Sequence, residues 1–181
     1  MKVLAVLIAP LLLSGAAVAQ TQGSAAAGAE PAVWQVHEID FVYTGFTSTY
    51  SCDGLGEKLR ALLLTAGAKA DVRADPYGCK AFGKPDRFAR VRLRFSALAP
   101  APPAAAPTDT LPAQWRNIVI GYNRPYTIDS GDCELLEDFR SKVLTAFAVR
   151  NLHAAGGCTP HNPGSGAEQI SFEALTAAAA H

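Results

Sequence analysis

The side chains with the widest scope for chemistry are four cysteines, four histidines, an alternating arginine row and a few paired acids. Cys52, Cys79, Cys133 and Cys158 could act as thiolates, metal ligands or disulfides. Redox catalysis uses two cysteines separated by two residues at a helix start. Here each cysteine stands alone, which favours structural bridges. Cys158-Thr159-Pro160-His161, with His153 nearby, is the one metal-like grouping. Copper or zinc would need Cys158 as a free thiolate. An oxidised Cys158 is no ligand, so no metal and no cofactor are expected, with His153 and His161 kept as the alternative. Asp53 with Glu57, and Glu134 with Glu137 or Asp138, have the form of acid/base pairs. Acids at helix starts more often serve the cap and the dipole, and no catalytic role is assigned to them. No Gly-x-Ser-x-Gly elbow, Walker loop or His-Glu-x-x-His motif occurs. A non-enzymatic protein is therefore expected.

Arg90, Arg92 and Arg94 are the most pointed surface feature. Alternation puts all three on one face of a strand, opposite Val91, Leu93, Phe95 and Ala97. They read as a candidate binding patch for an anion or a protein partner. The competing reading is an edge strand protected by charge, with Glu38, Asp40 or Glu173 as cross-sheet partners.

The chain around these residues has 181 positions, 49% of them hydrophobic, and a formal net charge of +0. It is long enough for one domain with a core. The missing basic excess argues against a nucleic-acid partner. Lys2, the apolar run from Val3 to Leu13 and the small residues Ala17 and Ala19 form a signal-peptide pattern, with cleavage near Ala19. The run is too short to span a membrane, and no later segment is long enough. A periplasmic protein is expected, or alternatively a secreted one. An even cysteine count in an oxidising compartment reads as two disulfides, and four cysteines permit three pairings.

The expected organisation is a signal peptide over 1–19, a flexible leader over 20–33, one α+β domain over 34–175 and a tail over 176–181. An Ala/Pro-rich linker over 99–113 divides the domain into halves, 34–98 and 114–175. Each half begins with a strand-like run, His37 to Phe46 or Trp115 to Tyr122. Each continues with a cysteine before an amphipathic helix and a second cysteine after it. Each closes with an alternating strand ending in Ala-Leu. Matching order and near-equal cysteine spacing suggest an internal duplication. The apolar rows Leu55, Leu59, Leu62, Leu63, Ala66 and Leu136, Phe139, Val143, Phe147 have helical spacing. Asp53 and Asp132 stand where caps are needed, and Gly67 suits a C-terminal stop. The resulting β-α-β-β-α-β order predicts a two-layer, ferredoxin-like sandwich. Long connections call for short extra strands near Ala70–Ala74 and Val149–His153. Those strands would return the second cysteine of each half to the helix start, which favours Cys52–Cys79 and Cys133–Cys158.

The helix-start motifs Tyr50-Ser51-Cys52-Asp53-Gly54-Leu55 and Gly131-Asp132-Cys133-Glu134-Leu135-Leu136-Glu137 resemble those of uncharacterised exported proteins from proteobacteria. No activity is attached to that group, so the resemblance implies no functional residue. The function expected is contact with an unknown envelope or extracellular protein. A periplasmic protein binding a small ligand or a copper or zinc ion is the alternative.

Overall fold

A computed structural model of the protein describes residues 28–79, 83–159 and 168–178. The expected signal peptide, the leader up to residue 27, His161 and His181 lie outside the described residues. The first half contributes β1 (Glu30–Val42), α1 (Cys52–Thr65), β2 (Arg73–Pro76) and β3 (Arg90–Pro100). The second contributes β4 (Leu111–Gly121), α2 (Cys133–Asp138), β5 (Val149–Ala155) and β6 (Gln169–Ala177). All six strands join one antiparallel sheet in the order β2-β3-β1-β4-β6-β5.

The element order of this α+β fold is β-α-β-β-β-α-β-β, which departs from the ferredoxin-like βαββαβ by the strands β2 and β5. In the split arrangement another strand lies between β1 and the strand that follows α1. The first half keeps that feature: β3 lies between β1 and β2, paired with β1 from Ala32↔Pro100 to Val42↔Arg90. β2 is one of the short strands expected from loop length. α1 carries the chain over to β2, parallel to β1, and β3 then turns back between them, antiparallel to both. In the second half, β5 plays the same part for β6.

Three expected segments also change extent. The expected leader ends early, because Pro31 and Ala32 already pair with Pro112 and Leu111. The linker shortens at both ends, since β3 runs to Pro100 and β4 begins at Leu111. Thr176 and Ala177 belong to β6 rather than to a tail. Composition suggested a flexible leader, an extended linker and a flexible tail at these places. What decides the matter is pairing: β1 and β4 meet over only three register pairs, all at their first residues.

α1 begins where the Ser51 hydroxyl accepts from the Gly54 N–H at 3.1 Å, satisfying a donor that the first turn leaves orphaned. Leu55, Leu59, Leu62, Leu63 and Ala66 are fully buried. Gly67, at φ +99°, takes the left-handed conformation that ends the helix. The second helix is less regular than its apolar stripe predicts. Its α-helical part stops at Asp138, a π turn covers Phe139–Val143, and a 3₁₀ turn covers Leu144–Ala146. The Ser141 hydroxyl donates to the Glu137 and Asp138 carbonyls at 2.9 and 3.3 Å. Such side-chain bonds compete with the backbone ladder. The widened turn still keeps Phe139 and Val143 fully buried.

Both helices pack on one face of the sheet. The main core joins Phe41, Leu93 and Phe95 of the first half to Ile120, Phe139 and Phe172 of the second. On the other face, Trp34 and Trp115 pack around Ala32, Leu98, Ala113 and Leu175, where β1 meets β4. Away from that cluster the strand face is open to solvent, with Arg90, Arg92 and Arg94 and the apolar Val36 exposed on it. Each half is stapled as expected: Cys52–Cys79 with 6.0 Å between Cα atoms, and Cys133–Cys158 with 5.6 Å.

Candidate functional site

Two arrangements gather polar side chains, and their chemistry differs. The first is a buried knot between the loop after β1 and the loop before α2. The Asp132 carboxylate accepts from the Tyr50 hydroxyl at 2.5 Å, Lys58 Nζ at 2.6 Å and the Asp129 N–H at 2.8 Å. Lys58 also donates to the Thr127 carbonyl at 2.6 Å and to Asp129 Oδ2 at 3.0 Å. Beside it, Glu134 Oε2 accepts from the Tyr43 hydroxyl and from the N–H groups of Phe46 and Thr47, at 3.1, 2.9 and 2.8 Å. The Tyr43 and Tyr50 rings meet edge to face at 4.7 Å. Asp132 stands at the helix start as expected, but its side chain makes no capping bond to α2. Its oxygens are committed across the chain to Tyr50 and Lys58. These bonds run from α1 and the loop after β1 to the loop before α2 and its first turn, so the knot clamps the halves together.

Gly45 allows this approach. A Cβ there would lie 1.7 Å from Tyr43 Oη and 2.6 Å from Glu134 Oε2. Gly45→Ala should therefore displace Tyr43 and cost about 1–3 kcal/mol, the usual penalty for overpacking. Urea unfolding measures it, and a change within error would show that the loop relaxes freely.

The knot also sets an alkaline limit. Burial, then the neighbouring Glu134, pushes the Tyr43 phenol above its ordinary value. Burial and Asp132 do the same to Tyr50. For Lys58, burial opposes the charge, but hydrogen bonds to Asp132 and Asp129 outweigh it and the pKa rises. All three groups hold protons in the folded state that the unfolded chain releases from about pH 10 upward. Fewer protons on the unfolded state means stability falls as pH rises. The melting temperature should stay level to about pH 9 and decline beyond about pH 10. In Tyr43→Phe the decline should be shallower, and an unchanged slope would remove Tyr43 from the account.

The second arrangement is the exposed face of β1, β3 and β2. Arg90, Arg92 and Arg94 all project there, as their alternation predicts. The edge-strand reading is corrected: β3 lies between β2 and β1, and the sheet edges are β2 and β5. Arg92 is neutralised, with Nε 2.9 Å from Asp40 and 3.8 Å from Glu38. Its guanidinium also lies 5.5 Å from the centroid of the Tyr77 ring. The third acid considered, Glu173, belongs elsewhere. It pairs with Arg150 at 2.5 Å, and Arg150 lies over the Trp115 ring at 4.4 Å. Arg94 differs from Arg92. Its register partner on β2 is Arg73, a second arginine. Both line a cleft of about 260 Å³ together with Val36, Asp71, Phe95 and Ser96. Neither has an acid within ion-pair distance among the described residues.

Sequence reading found Arg94 but missed Arg73, which lies on a four-residue strand too short to show a period. It also missed Lys58, Asp129 and the two tyrosines, whose bonds join positions 69 to 91 residues apart. The remaining candidates do not converge. Cys158 is bridged to Cys133 and His153 lies on exposed β5. No group of three or more His, Cys, Asp or Glu side chains among the described residues could hold a metal ion. Asp53 and Glu57 line a shallow cleft between α1 and β2 with Arg60. Glu137 and Asp138 border another beside Glu134, where Asp138 pairs with Lys142 at 2.8 Å. Compared with known proteins, the chain matches no family model, no curated protein and no solved structure.

Proposed function

We propose that this is an exported, disulfide-stapled protein of the bacterial envelope that acts by protein contact through the open face of β1, β3 and β2, without catalysis of its own. One observation carries the reading. On a face that no helix covers, Val36 is 66% exposed beside two arginines without counter-ions. Sheet faces open to water usually show small or charge-matched side chains, and an apolar residue beside unmatched charge suits a partner surface. Two disulfides are compatible with an oxidising compartment. No helix among the described residues is long and apolar enough to cross a membrane.

The same reading takes the halves as copies of one unit. Pro31-Ala32-Val33-Trp34 and Pro112-Ala113-Gln114-Trp115 recur at the offset that separates Cys52 from Cys133. The strand order β2-β3-β1 is mirrored by β4-β6-β5. The shared core and knot then make one platform from two units.

The test places a photo-crosslinking residue at position 36 of the exported protein. A specific envelope protein should be captured there, and a probe at Glu57, on the helical side, should not capture it. Capture from position 57 alone, or retention of the protein in the cytoplasm with reduced cysteines, would overturn the proposal.

A further inference from the structure

We infer that the cleft between Arg73 and Arg94 seats a glutamate or aspartate side chain from an acidic segment of the partner. The inference rests on the contact reading above and names the chemistry of what is contacted.

The charge pattern of the strand ladder singles out this place. On β2 and β3, Asp75 lies opposite Arg92, whereas Arg73 lies opposite Arg94. Register partners share a face, and like charges directly opposite one another destabilise a sheet. Glu38 lies opposite Arg94 on β1, but its carboxylate approaches Arg92 instead, at 3.8 Å. Asp71 borders the cleft without reaching ion-pair distance of either guanidinium. Two fork-shaped donors thus share one concavity without an acceptor. A carboxylate is the acceptor such forks bind best, through paired N–H···O bonds.

Size and surroundings narrow the ligand. About 260 Å³ is less than drug-sized ligands occupy, and suits a single side chain. Val36 offers an apolar wall for the methylene stem, and the Ser96 residue offers a hydroxyl. Asp71 at the rim penalises a doubly charged phosphate more than a singly charged carboxylate. The cleft opens on a strand face, where a protein partner can bring an acidic side chain in from above.

The test titrates a fluorescein-labelled glutamate-rich peptide into the full mature protein, followed by fluorescence anisotropy. Binding should weaken as salt rises. Arg73→Gln and Arg94→Gln should each weaken it about ten-fold, the effect of losing a charge-assisted hydrogen bond. Arg90→Gln, on the same strand but away from the cleft, should change it less than about two-fold. Both cleft arginines are exposed and unpaired, so their variants should melt no lower than the parent. Absence of peptide binding, or equal binding by Arg94→Gln, would overturn the inference. So would binding of inorganic phosphate without binding of the peptide. The crosslink at position 36 separates the two readings. If it persists in Arg73→Gln/Arg94→Gln, the contact reading stands and the acidic-segment inference fails. If the peptide binds at the cleft but no crosslink forms, the reverse holds.

Discussion

Asp132→Ala is expected to destabilise the protein by about 3 kcal/mol, one of the two largest effects open to a small change in this fold. Removing one member of a buried ion pair costs about 3–5 kcal/mol, because the survivor keeps a charge it cannot hydrate. The lower end applies here. The Asp132 side chain is only 2% exposed, but Lys58 is 17% exposed and keeps Asp129 and the Thr127 carbonyl as partners. The variant also strands the Tyr50 hydroxyl, whose ring packs in the core. Urea unfolding measures the loss. Lys58→Met added to Asp132→Ala should recover part of it, since the stranded cation is then gone. A double-mutant cycle isolates the pair from the tyrosine. A loss under about 1 kcal/mol would mean that water reaches the site and the knot contributes little.

The knot ties the two halves together. Lys58 belongs to α1, and its three acceptors belong to the loop before α2. Tyr43 and Tyr50 flank the first loop and reach Glu134 and Asp132 in the second half. β1 and β4 meet over only three register pairs, so strand pairing alone is a narrow join. Core packing from both halves and the knot supply the rest.

Local features of this fold were legible in the sequence. The helix stripe of α1, the alternation of β3 and the pairing of each cysteine within its half all follow from spacing. Even the short strands β2 and β5 could be inferred, because structureless connections of that length are uncommon. The strand order was not legible. It depends on where the chain lands after α1, and the four-residue strand β2 decides that by leaving room for β3 between itself and β1. The α-helical portion of α2 was overestimated, because the i, i+4 pair Phe139 and Val143 stays buried across a single π turn just as it would across an α turn. At the candidate site, alternation revealed which arginines share a face. Which of them stay unmatched depends on register and on where the acids turn: Asp40 falls opposite Arg92 and Arg73 opposite Arg94, while Glu38, also opposite Arg94, turns to Arg92. The role of Asp132 was hidden for the same reason. Its position at a helix start suggests a cap, and only the distant Tyr50 and Lys58 reveal a clamp.

Removing both disulfides is the other large effect. The bridges close sequence separations of 27 and 25 residues. In the chain-entropy model each is worth about 3.5 kcal/mol, nearly equal because the dependence on loop length is logarithmic. The two together approach about 7 kcal/mol, comparable with the whole stability of an ordinary domain, about 5–15 kcal/mol. Cys79→Ser and Cys158→Ser should each lower stability by a similar amount, less any contribution from strain or residual structure in the unfolded chain. The double variant should be marginally folded or unfolded at 37 °C. Reductant titration followed by circular dichroism checks this without mutation, since it acts on the intact chain. The two reductions should also interact. Cys52 and Cys133 begin the two helices whose starts flank the knot, so opening one staple loosens the frame that the other half leans on. Loss of one bridge should then make the other easier to reduce. Two independent reduction steps of unchanged ease would show instead that each half holds its own shape, and that the knot joins two already stable units.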